Sequence, residues 1–404
     1  MGRNREAERA DRAPVPSGIL VVAALVLVAG GVVAAFAMQR GNYRPWDLID
    51  LAVYRAAGEA VLHGRSVYGE YVADQLRIPL PFIYPPFAAV LAIPFALLGE
   101  TPANIVYTGI TVALLAGVVK VCFAPLLARY AKSWFAFALV ALVALSVSPV
   151  EDHLRFGQVG IPLMAACVFD CMAARPRWPR GLLVGIATAV KLVPGIFIPY
   201  FLLTRRWRAA AVASATFVAC SLIGLAVAPS DSWTFWTDKM FEPTSPEFVS
   251  NQSLEGILER AIGPWRLVWI PAVVFVFGFG LWRAARASRA GDELRGIAIV
   301  GVVSLIVSPI SWIHHMVWII PALAVIVGRA DDRRRVVVAI VVTALFIARL
   351  PYVGDDTMGG DGFLAGIVID SYGLIAIGLF LLLTDAFGLW RRFTRADLHA
   401  ATAA

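Results

Sequence analysis

Charge is scarce in this chain: of 404 residues, 16% are Asp, Glu, Lys or Arg and 59% are hydrophobic. With a mean hydropathy of +0.75, that balance excludes an ordinary water-soluble domain. Apolar runs recur along the chain, at 18–37, 336–348 and 365–383 among others, the last interrupted only by Asp370. About 20 apolar residues suffice for a helix to cross a bilayer. The runs are continuous and lack the alternation of barrel strands, which excludes a membrane β-barrel. Cysteine is also sparse. Cys122, Cys167, Cys171 and Cys220 lie inside apolar runs without zinc-ligand spacing, which excludes a zinc site and a disulfide framework and leaves small packing residues. No repeat of fixed period and no low-complexity segment is present, so one integral domain is the economical reading.

The formal charge of +7 would suggest nucleic acid in a soluble protein. Here the basic residues sit in short loops between apolar runs, where they report topology, and no nucleic-acid partner is expected. Arg3, Arg5, Arg9 and Arg12 place residues 1–17 in the cytoplasm as a tail. The run after them lacks a small-residue cleavage site and reads as an uncleaved first helix, 18–38. Residues 39–102 then lie outside. Within them, 51–63 reads as a short helix ended by Gly64, and 83–98, broken by Pro85, Pro86 and Pro94, as an interfacial or re-entrant helix.

Spans follow at 103–124, 134–149 and 157–174. Residues 181–203 carry basic clusters at both ends, so a single crossing would violate the charge rule. Two half-helices broken near Lys191 and Pro194, entering and leaving on the cytoplasmic side, satisfy it. Further spans are expected at 209–228, 266–285, 296–310, 316–328, 336–350 and 364–388. The sum is about ten full spans and one broken hairpin in a domain covering 18–390. A cytoplasmic tail, 391–404, closes an all-α, multi-pass protein of the plasma membrane with both termini inside.

This topology sends a specific set of polar groups to the outer side. Asp47 and Asp50 begin it, in Asp47-Leu-Ile-Asp-Leu-Ala-Val-Tyr54, and an acid beside a membrane that contains almost none is a functional candidate. Asp47 also suits a helix cap. Asp50 lies beyond the cap, which makes it the first choice for a catalytic base. Tyr84, the stretch Glu151-Asp-His-Leu-Arg-Phe-Gly-Gln158, Asn251, Gln252, and Ser311-Trp-Ile-His-His315 join them. Four of the five histidines, His63, His153, His314 and His315, fall on this side. Lys191 interrupts an apolar segment, and an ammonium there is costly without an anionic partner or polar cavity. Adjacent histidines diverge on a helix and no His-x-x-x-His spacing occurs, so no metal is expected.

A carboxylate, cations, imidazoles and aromatics at one membrane face suit transfer chemistry on a lipid-linked phosphate. A sugar phosphate leaves as a stable anion and needs positive charge and hydrogen bonds more than a general acid. The attacking hydroxyl must lose a proton, which one carboxylate can accept. Asp50 is thus expected as base, with Lys191, His314, His315 and Arg155 around the donor phosphate. Asp47, Tyr54, Tyr84, Gln158, Asn251 and Gln252 are expected to line the sugar and acceptor site. A lipid or solute transporter, which would use a broken helix at the midplane, is the reading from a different class.

Six pieces of the chain, Asp50-Leu-Ala-Val-Tyr54, Leu80-Pro-Phe-Ile-Tyr-Pro-Pro-Phe-Ala-Ala89, Phe156-Gly-Gln-Val159, Gly181-Leu-Leu-Val-Gly-Ile-Ala-Thr-Ala-Val-Lys-Leu-Val-Pro194, Asn251-Gln-Ser-Leu254 and Ser308-Pro-Ile-Ser-Trp-Ile-His-His-Met-Val-Trp318, stand in an order that resembles the family 87 glycosyltransferases of the GT-C superfamily. That family includes polyprenyl-phosphate-mannose-dependent α-mannosyltransferases of actinobacterial phosphatidylinositol mannosides and lipomannans. The resemblance implies that Asp50 is the catalytic aspartate. It further implies a mannosyl polyprenyl phosphate donor used on the outer leaflet, a glycolipid acceptor such as a phosphatidylinositol mannoside, and an inverting, metal- and cofactor-independent transfer that makes an α-1,2 linkage. An arabinofuranosyltransferase with a decaprenyl-phosphoryl-arabinose donor is the neighbouring alternative. The family pattern often has Asn two residues after the Gln of Gly157-Gln158, where this chain has Gly160. A monomer is expected.

Overall fold

A computed structural model describes residues 48–73, 78–130, 133–242, 248–263, 266–356, 362–391 and 393–394. The expected first span 18–38, both tails and Asp47 lie outside the described residues. The described chain is helical except for one antiparallel hairpin, β1 (Glu70–Ala73) with β2 (Ile78–Pro81). Helix α1 (Ile49–Leu62) precedes this hairpin and α2 (Pro86–Ala96) follows it. Proline at the first helical position of α2 gives up no bond that the helix could have made. Neither helix is long enough to cross a bilayer. They pack on each other through a small core of their own, including Leu51, Tyr54, Ala57, Phe82, Tyr84 and Ala89, as expected for interfacial elements.

The bundle begins with α3 (Glu100–Cys122) and α4 (Ser133–Ser146). The chain bends by 72° after α4 into α5 (Ser148–Phe156), then enters α6 (Gly160–Met172). Next come α7 (Leu182–Val190), a 3-10 turn (Val193–Ile196) and α8 (Phe197–Leu203), then α9 (Trp207–Val227) and α10 (Pro229–Thr237). After α11 (Leu254–Ile262) follow α12 (Arg266–Arg289) and α13 (Glu293–Val307). A 3-10 turn (Ile313–Trp318) leads into α14 (Ile319–Val327). The last part is α15 (Arg333–Ile347), α16 (Leu350–Asp356), α17 (Phe363–Ile369) and, after a 66° bend, α18 (Ser371–Leu383).

The broken hairpin takes the expected form. Gly181 lies against Ala209 and Ala213, and Gly185 against Ala213 and Thr216, so α7 climbs along α9 from its beginning. Backbone touches backbone there, and a Cβ on Gly181 would collide with the Ala209 carbonyl. The chain is extended at Lys191 (φ −149°, ψ 132°), Gly195 packs on Thr188 of the ascending arm, and α8 returns to Arg206, where α9 starts. Both arms therefore begin and end at one level of the bundle, with Lys191 at the turn.

The span count departs from the expected ten. Among the described residues, four helices are long and apolar enough to cross, or six if each bent pair counts as one. Helix α6, with 13 residues, is about 20 Å long, short of a hydrocarbon core of about 30 Å. It can be short because it is sheltered: α6, α13 and α14 form the buried centre, where nearly every side chain of α13 and α14 is inaccessible. The long helices α3, α9 and α12 surround them and expose Ile105, Leu222, Val274 and Phe275. Such an apolar perimeter suits lipid. The expected continuous helix 364–388 breaks at Asp370, which pairs with Arg260 at 2.5 Å.

Candidate active site

Asp50 stands in the first turn of α1, outside the spans, and is half-buried. Helix α5 ends at Gly157, whose φ of +73° favours glycine, and a Cβ there would press on Leu51 and Leu48. This close approach sets Gln158 beside Asp50. The tyrosines fix which way the Gln158 amide faces. Tyr54 Oη donates to Gln158 Oε1 at 3.0 Å, Tyr84 Oη lies 3.5 Å from the same oxygen, and the two phenol oxygens are 3.1 Å apart. Tyr107 Oη donates to the Gln158 carbonyl at 2.7 Å. With its oxygen accepting from phenols, the Gln158 amide turns its NH2 to Asp50 and hydrogen-bonds it.

Burial pushes the Asp50 carboxyl up to about 6, while the Gln158 hydrogen bond and the charge of Lys191 pull the other way. A carboxylate with that affinity for a proton is a competent base near neutral pH.

Lys191 is held at the hairpin turn above the Tyr84 ring, 5.3 Å from its centroid, with Nζ 2.9 Å from His315 Nε2. The backbone N–H of Trp312 donates to His315 Nδ1 at 3.2 Å, so the imidazole proton belongs on Nε2. Two N–H groups thus converge with a proton to spare, an arrangement that suits an oxygen anion accepting from both. Beside them opens a cleft of about 530 Å³ between α6, the hairpin turn and residues 304–318. Its walls include Leu163, Met164, Val193, Phe197, Val317 and Trp318. The hydroxyls of Ser304, Ser308 and Ser311 along it donate to backbone carbonyls, so the cleft is apolar apart from Lys191 and His315.

Not every expected site residue meets at this point. His314 packs edge-on against His315 and Phe156, with ring centroids 4.7 Å and 6.0 Å away, and does not line the cleft. Arg155 lies half-buried over the Phe156 ring. Tyr54, Tyr84 and Gln158 were expected to line the sugar or acceptor site; the geometry directs their polar ends to one another and to Asp50.

Asn251 and Gln252, expected in the same role, are buried in the loop before α11 and tied to protein. Asn251 Oδ1 accepts from the backbone of Ser253 and Ser311, and its amide donates to Pro309 O. Gln252 donates to Val249 O and Ile369 O and accepts from Gly373 N. An amide in a loop is as apt to tie down backbone as to bind a ligand, and here it does the former. His63 sits exposed at the end of α1, its Nδ1 2.8 Å from Glu59 O, apart from the other histidines.

Sequence reasoning missed Tyr107 and gave His153 no role. His153 is fully buried, its Nε2 accepts from Ile161 N at 2.7 Å, and its Nδ1 has no hydrogen-bond partner among the described residues. Nothing in the sequence marks Tyr107, a tyrosine within an apolar span. Among the described residues, no group of three or more His, Cys, Asp or Glu side chains is placed to hold a metal ion.

The model of glycosyltransferase family 87 matches residues 82–309. The chain is similar to two relatives named polyprenol-phosphate-mannose-dependent alpha-(1-2)-phosphatidylinositol mannoside mannosyltransferase. The one from Mycobacterium tuberculosis is 34% identical over 330 residues, 77% of each chain. The one from Mycolicibacterium smegmatis is 36% identical over 315 residues, 71% of each chain. A more distant relative, an alpha-(1->3)-arabinofuranosyltransferase of Mycobacterium tuberculosis, is 24% identical over 250 residues, 60% of this chain and 56% of that one.

Proposed function

The chain belongs to glycosyltransferase family 87, and from that premise we propose that it moves mannose from polyprenol-phosphate-mannose to a phosphatidylinositol mannoside, forming an α-1,2 linkage. The observation that carries the reading is one carboxylate, Asp50, beside the Tyr54–Gln158–Tyr84 cluster, with Lys191 over the Tyr84 ring at 5.3 Å and itself paired with His315 at the end of an apolar cleft. The acceptor hydroxyl attacks the anomeric carbon as its proton passes to Asp50. The bond from that carbon to the phosphate oxygen breaks, and its electron pair leaves with the polyprenyl phosphate. Lys191 Nζ and His315 Nε2 stabilise the developing charge. A single displacement inverts the anomeric carbon, so an α product requires a β-linked donor. His314, edge-on to Phe156 and His315, and Arg155, over the Phe156 ring, support the His315 side of the site. Asp47 remains a candidate for acceptor binding.

No metal is needed in this scheme, since the ammonium and imidazole already meet the leaving anion. The charge rule supports a site on the extracytoplasmic side of the plasma membrane, since Arg180 and Arg206 flank the far ends of the hairpin arms, away from Lys191 at the turn. Residues 18–390 act as one domain, both termini are cytoplasmic, and the protein works as a monomer with membrane lipids, donor and acceptor as its partners.

Two relatives at 34% and 36% identity, matched over 77% and 71% of each chain, carry polyprenol-phosphate-mannose-dependent names, against 24% identity for the arabinofuranosyltransferase, which favours mannose. The test offers the purified protein, in detergent with EDTA, labelled polyprenol-phosphate-mannose or decaprenyl-phosphoryl-arabinose with a phosphatidylinositol mannoside. Transfer from the mannose donor is expected. Transfer from the arabinose donor alone would overturn the donor assignment, and a strict need for added divalent metal would overturn the metal-free scheme.

A further inference from the structure

The last third of the chain holds a buried ion-pair network that the proposed chemistry does not use. Arg349 follows α15 and carries a φ of +54°. A left-handed arginine is strained and persists where its surroundings hold it. Its side chain is 4% exposed, and its guanidinium reaches two carboxylates of α5, Glu151 at 2.8 Å and Asp152 at 2.9 Å. Tyr352 Oη donates to the other oxygen of Asp152 at 2.9 Å, and the guanidinium lies 5.0 Å from the Tyr352 ring. One turn earlier on α5, Ser148 Oγ and Tyr372 Oη are 2.6 Å apart. Arg349, Tyr352 and Tyr372, outside the part matched by the family model, thus hold the first half of α5.

The other end of α5 makes the active site. His153 O accepts the N–H groups of Gly157 at 3.1 Å and Gln158 at 3.0 Å, so the Gln158 backbone is seated on the helix terminus. Nine residues of helix form a rod of about 13 Å, and a tilt at one end moves the other.

We propose that Arg349 is a positioning residue for the transfer reaction: through Glu151 and Asp152 it holds the helix whose end presents Gln158 to Asp50. The proposal rests on the reading of Asp50 as base. A buried ion pair is a weak stabiliser compared with apolar packing, which makes orientation the better account of this one. The groups that face Asp50 are Tyr54 from its own helix, Tyr84 from the segment before α2, Tyr107 from α3, Gln158 after α5 and Lys191 from the hairpin, with His153, His314 and His315 behind Lys191. Of these, His153 on α5 and Gln158 just after it are the ones whose placement Arg349 governs, and Gln158 is the one beside Asp50.

The experiment compares wild type, Arg349→Lys, Tyr352→Phe and Asp50→Asn, each purified in detergent, by kcat and KM for mannose transfer across pH. Arg349→Lys should lose about tenfold or more in kcat, with the donor KM close to wild type, because small misplacements at a reacting centre are that costly. The acid limb of its pH profile should move upward, since a displaced Gln158 no longer favours the Asp50 carboxylate. Tyr352→Phe keeps the ion pair, so it should fold and show a smaller shift in the same direction. A structural role alone would lower activity equally at every pH, and an acid limb unmoved in both variants overturns the proposal. Should Arg349→Lys not fold, Tyr352→Phe decides by itself. Full turnover by Asp50→Asn would instead sink the base assignment, which separates the two failures.

Discussion

Replacing Gln158 by Leu separates the base from its holder. In the native site the Gln158 amide donates to Asp50 and receives Tyr54. Leucine keeps most of the volume and removes both. A hydrogen bond to a charged group is worth about 1.5–3 kcal/mol, which corresponds to about one to two pKa units. The carboxyl, already pushed up to about 6 by burial, should then titrate roughly one to two units higher. Only the ionised form accepts the acceptor's proton, so the acid limb of kcat/KM moves upward with it. At pH 7 the variant should lose about two- to tenfold, and most of the loss should return by about pH 9. The freed phenols can bond to each other across their present 3.1 Å, which limits the cost to stability. The assay is mannose transfer against pH with a short-chain synthetic donor at limiting concentration. A loss of the same size at every pH, or an acid limb that stays in place, would refute the claim that Gln158 tunes Asp50.

Two further outcomes follow from the same geometry. Lys191→Met removes the one cation among the donors converging at the cleft and should lower kcat/KM about 10²–10³-fold, with weaker donor binding in a filter assay; Lys191→Arg should recover part, and activity within tenfold of wild type for Lys191→Met would count against a phosphate role. Asp50→Asn should raise the thermal unfolding midpoint in detergent at pH 7: the folded carboxyl holds its proton up to about 6 against 3.8 ordinarily, so the fold is favoured below 3.8 and loses that contribution as pH rises through 6. Because solvent reaches the half-buried group, the gain at pH 7 is on the order of 1–2 kcal/mol, and it should narrow towards pH 4.

Much of this arrangement was legible in the sequence. Lys191 was conspicuous because an ammonium within an apolar run demands a reason. The hairpin around it could be read because basic clusters flank 181–203 at both ends, and the structure returns both arms to the start of α9. What could not be read was direction. The Gln158 amide faces Asp50 only because tyrosines 54, 84 and 107, from three separate segments, hold its oxygen side and its carbonyl. Asn251 and Gln252 have the residue types of a sugar site, and only the backbone partners around them show that they bind the loop instead. Arg349 stood at the end of an apolar run, where arginines serve ordinarily as interfacial anchors, and its carboxylate partners lie almost 200 positions earlier. The bend at Asp370 was hidden for the same reason, since a long-range ion pair and not a local breaker accompanies it, whereas Pro149 marks the bend at Ser148 locally.

The measurement that bears most directly on the central claim is mannose transfer by Asp50→Asn beside wild type, in EDTA, with donor binding measured on the same preparations. Asparagine keeps the size and the partner of Gln158 but cannot take the proton. Turnover should fall by about 10²–10⁴-fold while donor binding persists. Turnover within tenfold of wild type would contradict the account, and would move the search for the base to Asp47.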